Sequence, residues 1–560
     1  MANIKAGGYI SQVTFNNGES IEIKQNDIVV LVGPNNAGKS QSLQDIYALS
    51  SNGKQPSIVI KNIKIQKSDV PIPEFLEHLA VKSDNQDTYG ILESNVSVAK
   101  MFLQQYSSSE YFEHYRNLFV ANLGTTNRLN ICNPPQSVNR RAPKRHPIHF
   151  AAFHKEYRKW LSKNFKQAFG EEITPYILNG ASIPLCVGPI ISLDNIYEDE
   201  QERQEAYADV LATYKQVQNQ GDGIKSFTGI LLYLMLDYYC VFLIDEPESF
   251  LHPPQARIMG QIIGETLTTQ QQAFISTHSE EFIKGLLEAC PERVKIVRIT
   301  REEDTNYLSI LDNEKIKLVW NDPLLKYSNI LSSLFHKTVV LCESESDCKM
   351  YSIIDGHLKR INNQYSETLF IHCGGKHHVA KIVTALKALN IEIKVICDID
   401  VMDNKTIFKS ITDALGIEWS KIEQFYTVTT NNLSLKEPIK RSVAKETITN
   451  ILGQSENENL SNDEVQKILR ALKPTSKWAQ IKLGGIQTLP SGDSSSAFTN
   501  MNLILKSYGF YIVPVGELER FITEVGGHGS EWVNQVLQKY PDLNNTVYHK
   551  IKDFLLEMKL

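Results

Sequence analysis

The sequence has no general excess of positive charge: its 560 residues carry a formal net charge of −6. Binding of nucleic acid by the surface as a whole is thereby excluded, and any such contact must come from a local basic patch. No apolar run is long enough to span a membrane. The most apolar stretch, "GILLYLMLDYYCVFLI" (229–244), is broken by Asp237 and falls short of the roughly 20 residues that a bilayer requires. The first residues, "MANIKAGGYISQ", lack the apolar core of a secretory leader. A cytoplasmic protein without membrane contact is expected. No C-x-x-C pair occurs among the eight cysteines, and Cys240, Cys342 and Cys397 sit inside apolar runs. Buried free thiols in a reducing compartment are expected, not a disulfide framework. Repeats and long heptad runs are also missing, which argues against an extended coiled-coil arm.

What is present is an ordinary globular composition, 42% apolar and 22% charged, on a chain long enough for several domains of about 150 residues. Residues 9–32 hold two alternating apolar runs joined by Asn17-Gly18, a dipeptide suited to a tight hairpin. A third strand, "DIVVLVG", then opens a glycine-rich loop. From about 95 to 205 the pattern is mainly helical and polar, interrupted by "NPPQSVNRRAPKRHP" (133–147). Strand signals return at "YYCVFLIDE", "QQAFIST" and "VKIVRIT". Around 320–336 the strand pattern lapses. A new strand-first series begins at Thr338 and continues through "TLFIHCG", "EIKVICDID" and "GFYIVPVG". The fold class is therefore α/β, with two domains. The first covers 1–325, with the helical insertion at about 95–205 as a candidate dimerisation region. The second covers 336–535 with an inserted segment at about 404–500, and residues 536–560 are expected to form a C-terminal helix.

"GPNNAGKS" (33–40) fits the P-loop pattern G-x-x-x-x-G-K-[ST] and lies between a strand and a helix. Gly33 and Gly38 let the backbone wrap phosphates, with Asn35 and Asn36 in the loop between them. Lys39 brings a positive charge to the terminal phosphates, and Ser40 brings a hydroxyl to Mg²⁺. "YCVFLIDEPESFLHP" (239–253) supplies an apolar strand that ends in Asp245, to hold the metal, and Glu246, to polarise the attacking water. "FISTHS" (274–279) ends in His278, placed to sense the γ-phosphate. These motifs resemble those of ABC-type ATPases of the SMC and RecF group, over about residues 9–300. That resemblance implies a signature loop before the second strand. "NQGDGIKSFTGILLYL" stands there, with Gly221, Gly223 and Ser226 as candidates to touch ATP across a head-to-tail dimer.

The densest basic stretch contains Arg140, Arg141, Lys144, Arg145, Lys155, Arg158, Lys159, Lys163 and Lys166, with Tyr157 and Trp160 interleaved. It suits either a phosphate backbone or a solvated face.

In the second domain each strand ends in acidic or glycine-rich sequence, and parallel strands deliver such ends to one edge of a sheet. Glu343, Asp347, Asp398, Asp400, Glu517 and Glu519 should therefore converge. Like charges so close raise one another's pKa, and hard divalent cations with oxygen ligands, Mg²⁺ or Mn²⁺, relieve the repulsion. Two such ions can flank a phosphodiester. In "IHCGGKHH", residues His372, Cys373, His377 and His378 also suggest zinc, although adjacent ligands suit a tetrahedral site poorly.

The arrangement resembles a Toprim fold: a glutamate after the first strand, a glycine motif after the second and Asp-x-Asp after the third. An ABC-type ATPase followed by Toprim is similar to the OLD (overcoming lysogenisation defect) family of ATP-dependent nucleases. By that resemblance Glu343, Asp398 and Asp400 are metal ligands, Glu519 with Glu517 serves a second metal, and Asp347 matches a further acidic position. Two positions depart from the pattern. Ser344 stands where the family has glycine, and no lysine is evident beyond the last acidic motif, where His528 stands instead. Lys376 is a further phosphate contact. The resemblance implies ATP with Mg²⁺ or Mn²⁺ at both sites, a homodimer or dimer of dimers, and DNA cleavage in phage defence, alone or with a helicase-like protein or a retron reverse transcriptase and its DNA. The competing readings are a nuclease acting on RNA, transfer RNA above all, and a non-cleaving ATP-driven sensor or scaffold.

Overall fold

The computed structural model describes residues 7–69, 106–140, 146–190, 199–236, 238–311, 329–431, 440–453, 459–471 and 477–560, together with 81–82, 88–90, 97–99, 144, 322 and 433. The chain divides into two compact units, residues 1–326 and 327–560.

The first unit is built on a six-stranded sheet. Its order is Thr305–Leu311, Val294–Glu302, Ile28–Val32, Gln272–Ser276, Val241–Asp245 and Val120–Leu123. All neighbours pair in parallel except the first two, which form an antiparallel hairpin. Every residue of Ile28–Val32 is buried, because helices and loops cover both faces of a central parallel strand. The expected hairpin at Asn17-Gly18 is present: Gly8–Phe15 pairs antiparallel with Ser20–Glu22, and Ile60–Lys67 completes a three-stranded sheet.

The segment expected to be helical is mixed. Its described residues include the helices Pro147–Phe153 and Lys155–Phe169, but also the strand Val120–Leu123, which pairs with Val241–Asp245 at the edge of the main sheet. Ile173–Pro175 and Leu185–Val187 join Lys215–Gln216 in a sheet of their own. Strands of three or four residues are too short for period-2 alternation to stand out among helical neighbours. All eight cysteines are free and buried. Among the described residues, no helix is long and apolar enough to cross a membrane, and Asp237 lies outside them.

The second unit has a four-stranded parallel sheet ordered Thr368–His372, Thr338–Cys342, Glu392–Cys397 and Phe510–Ile512. The chain between the third and fourth strands, 398–509, carries the inserted helices, among them Lys405–Leu415, Trp419–Thr430 and Lys477–Gly484. Beyond the sheet lie two helices, Gly529–Lys539 and His549–Glu557, where a single C-terminal helix over 536–560 was expected. Pro541, with no backbone N–H to give, follows Tyr540, which caps the end of the first. Both pack on one core with Tyr351, Trp532, Tyr548 and Phe554. Each fully buried side chain such as Ile551 or Leu555 contributes roughly 1.5–3 kcal/mol.

Candidate functional site

In the first unit, the loop after Ile28–Val32 requires glycine at its start. Gly33 has φ 142°, and a Cβ there would lie 2.1 Å from the carbonyl oxygen of Ile299. Asn35 and Asn36 are exposed on the loop, and Gly38 caps the helix Lys39–Asn52. Lys39 folds over the loop, donating to the carbonyl oxygens of Gly33 (3.0 Å) and Pro34 (2.8 Å). Burial lowers its pKa to about 8, against the opposing pull of Glu246, Asp245 and Glu248. Ser40 Oγ donates to Asp245 Oδ1 at 2.7 Å, so hydroxyl and carboxylate offer oxygen ligands at one point, the donor chemistry of Mg²⁺.

Glu246 sits at a turn with φ 48°, where its carboxylate lies 3.7 Å from His278 Nε2. Burial and then the Lys39 charge lower the pKa of His278, which favours the neutral imidazole, against the opposing pull of Glu246 and Asp245. Two further residues brace this corner. Arg128 is fully buried and donates to the carbonyl oxygens of Leu123 (3.2 Å), Glu246 (3.2 Å) and Asp245. Glu248 accepts from the backbone N–H of His278 (2.7 Å) and the hydroxyl of Thr277 (2.8 Å), and burial raises its pKa. Glu248 lies within the recognised motif, but Arg128 is a lone arginine in a polar stretch, and only the fold reveals its position.

Of the candidate signature residues, Gly221 is exposed and caps the helix Asp222–Leu234. Gly223 is half-buried against the Phe250 carbonyl, and Ser226 is fully buried on the inward face. The structure therefore brings Gly221 and Gly223, but not Ser226, to a surface that a second copy could touch. In the basic stretch Arg140 is exposed, and Lys144 lies 4.3 Å from the Phe153 ring centroid. Arg141 and Arg145 lie outside the described residues. Lys155, Lys159, Lys163 and Lys166 are exposed along one face of the helix Lys155–Phe169.

In the second unit, parallel pairing brings Glu343, Asp398 and Asp400 together, with one ligand atom from each lying within 4.8 Å of the others. Glu343 Oε1 accepts from the Asp398 backbone N–H at 3.0 Å, which fixes its direction. Burial, reinforced by Asp400, raises Glu343 to about 7, and burial with Glu343 raises Asp398 well above its ordinary value. Carboxylates held so far from their ionised form are a site that a divalent cation fits.

A second group, Glu517, Glu519 and His528, also brings its ligand atoms within 4.8 Å of one another. The His372, Cys373, His377 and His378 set forms no such group among the described residues: Cys373 is buried, and the histidines are exposed. Lys376 lies 3.2 Å from Asp400 Oδ1 and donates to the Asp400 carbonyl, so it faces the acidic site.

Sequence reading missed Lys482. It comes from the inserted helix Lys477–Gly484 and lies 3.1 Å from Asp398, 3.4 Å from Asp400 and 3.8 Å from Glu517. Burial alone would lower its pKa, but Asp398 and Asp400 outweigh it and hold the ammonium charged. No local signal marks this lysine, because its partners are far away in sequence.

Ser344 has φ −124° and ψ 164°, an extended conformation open to any residue, so glycine is not required. Its hydroxyl caps the helix Glu345–Ile361 by accepting from the Asp347 N–H, while the Asp347 carboxylate accepts from the Ser344 N–H at 2.9 Å. Asp347 is thereby a helix-capping group. Burial raises its pKa, with a smaller push from Glu519.

Comparisons with known proteins agree with this division. Residues 138–284 match a family model for an AAA domain, described in connection with the AbiEii toxin and Type IV TA systems. Residues 334–400 match the model for the Toprim domain of overcoming lysogenization defect protein-like chains. The Old nuclease of Escherichia phage P2 is 23% identical over 174 residues, covering 29% of this chain and 28% of that protein's length. The Smc head domain with an extended coiled coil from Pyrococcus furiosus, bound to the C-terminal domain of ScpA, is 12% identical over 56% of this chain and 99% of that one, with a TM-score of 0.32. The SMC head domain from Thermotoga maritima is 11% identical over 54% of this chain and 99% of its own, with a TM-score of 0.28. A P-loop α/β unit that holds a match to an AAA-type ATPase domain thus precedes a parallel-sheet unit that holds a match to an OLD-like Toprim domain and whose strand ends gather carboxylates.

Proposed function

We propose that this chain is an ATP-hydrolysing, metal-dependent nuclease that cuts or nicks DNA as an effector of phage defence, alone or with a partner protein or ribonucleoprotein. The observation that carries this reading is the grouping of half-buried Glu343, Asp398 and Asp400 with Lys482 and Lys376 beside them. Divalent ions bound there, Mg²⁺ or Mn²⁺, supply an activated water and stabilise the leaving oxygen of a phosphodiester. The carboxylates of Glu343, Asp398 and Asp400 hold the ions in place. Lys482 presents a fixed positive charge where negative charge grows on the phosphate.

In the ATPase unit Lys39 binds the terminal phosphates, Ser40 and Asp245 hold the metal, Glu246 polarises the attacking water, and neutral His278 hydrogen-bonds the γ-phosphate. Hydrolysis is completed by a second copy docking at the exposed Gly221 turn, which makes the active form a homodimer or a dimer of dimers. The lysine face of Lys155–Phe169, with Arg140, tracks the DNA backbone.

The test is incubation of the purified chain with supercoiled DNA, single-stranded DNA and transfer RNA, in Mg²⁺ or Mn²⁺, with and without ATP. Cutting of DNA supports the reading. Cutting of transfer RNA alone replaces DNA with RNA as substrate. Intact nucleic acid in every arm leaves the non-cleaving scaffold as the function.

A further inference from the structure

We propose that Glu517, Glu519 and His528 form a metal centre with mixed nitrogen and oxygen ligands, which takes a divalent transition-metal ion, Mn²⁺ among them, in preference to Mg²⁺, beside the all-oxygen centre of Glu343, Asp398 and Asp400. This proposal rests on the Toprim reading and adds to it the identity of a ligand and the preference it imposes.

His528 Nδ1 lies 2.6 Å from Glu519 Oε1, and ligand atoms from Glu517, Glu519 and His528 lie within 4.8 Å of one another. Ligands about 2.1 Å from a shared ion sit about 3 Å apart when adjacent, so small side-chain adjustments close this group around a cation. Both carboxylates are already aimed. Glu519 Oε1 accepts from the Gly529 backbone N–H at 2.7 Å, and Glu517 Oε1 accepts from Arg520 Nε at 3.1 Å. Such outer hydrogen bonds are the usual means of orienting ligating carboxylates. Gly529 has φ 63°, so the chain turns sharply just past His528 and opens the helix Gly529–Lys539.

The imidazole side chain is 78% exposed, whereas Glu517 and Glu519 are buried. Packing does not hold the ring over the carboxylates, and the chemistry of the ring decides what it can do there. Imidazole nitrogen suits Zn²⁺, Fe²⁺ or Ni²⁺ best and is accepted by Mn²⁺, while Mg²⁺ keeps to oxygen throughout. The two centres therefore differ: one accepts Mg²⁺ readily, and the other discriminates against it.

The experiment uses the full chain, free of nucleotide and carrying Asp245→Asn to remove the ATPase-site ion. Mn²⁺ is titrated and its free form counted by electron paramagnetic resonance, and the bound ion is examined by pulsed resonance for coupling to imidazole ¹⁴N. The expected result is ¹⁴N coupling that disappears in His528→Gln, with Mn²⁺ affinity at one site falling at least about 10-fold and Mg²⁺ affinity scarcely changed. Because the ring is exposed, this substitution leaves the fold intact, and a melting curve confirms that. Bound Mn²⁺ without nitrogen coupling, or coupling retained in His528→Gln, overturns the role of His528 while leaving the acidic centre standing. Failure to hold Mn²⁺ at all overturns the Toprim metal reading together with this proposal.

Discussion

Lys482 Nζ lies 3.1 Å from Asp398 Oδ2, so a lysine from the inserted helical segment closes a site whose carboxylates come from strand ends. Lys482→Ala should lower single-turnover DNA cleavage by about 10²–10³-fold, the usual cost of removing one preorganised charge from a reacting phosphate or carbonyl. Circular dichroism should show the fold retained. Unchanged cleavage would make Lys482 only a counter-charge for the carboxylates.

Lys39 should set the pH dependence of nucleotide binding. Burial holds its pKa at about 8 against 10.5 for a free lysine, so above pH 8 the empty site carries a neutral amine that must gain a proton to bind polyphosphate. ATP affinity should be full below pH 8 and fall about 10-fold per pH unit above it. The folding contribution has the opposite sign: the folded chain releases this proton first, so stability from Lys39 rises as pH goes from about 8 towards 10.5. Titration with a fluorescent nucleotide from pH 7 to 9.5 checks this, and Lys39→Ala should bind weakly with no such slope. A flat wild-type profile contradicts it.

Glu246→Gln should keep ATP bound while hydrolysis falls about 10²–10⁴-fold, because the amide fills the same space without acting as a base. A stable ATP-bound dimer should then accumulate on size exclusion. Wild-type turnover in this variant removes Glu246 from its role.

Ser344 serves the helix that follows it. Ser344→Ala should destabilise the chain by about 1 kcal/mol through loss of the cap, and Ser344→Gly by only a few tenths. Since the backbone there is extended, cleavage should survive in Ser344→Gly. Denaturant melts and plasmid nicking test the two halves of this statement, and a large activity gain in Ser344→Gly would show that the hydroxyl obstructs substrate.

The parts legible in the sequence were those whose chemistry is contiguous. A P-loop joins strand, loop and helix in one stretch, and Asp245-Glu246 ends an unbroken apolar run. The convergence of Glu343 with Asp398 and Asp400 was also legible, since parallel strands bring their ends to one edge whatever the loop lengths. What sequence could not show was tertiary. Lys482 and Arg128 reach their partners only through the fold, in segments with no pattern of their own. Ser226 looked available in a glycine-rich turn, yet the helical period turns it inward. Ser344 departs from the family's glycine, and its hydrogen bonds with Asp347 show a helix cap.

The most direct test of the central claim is nicking of supercoiled plasmid in Mn²⁺ by wild type and Glu343→Ala side by side, with ATPase turnover measured in the same preparations. The account predicts that wild type nicks, that Glu343→Ala does not, and that both hydrolyse ATP. Equal nicking by the two proteins would place the cutting site elsewhere and contradict it.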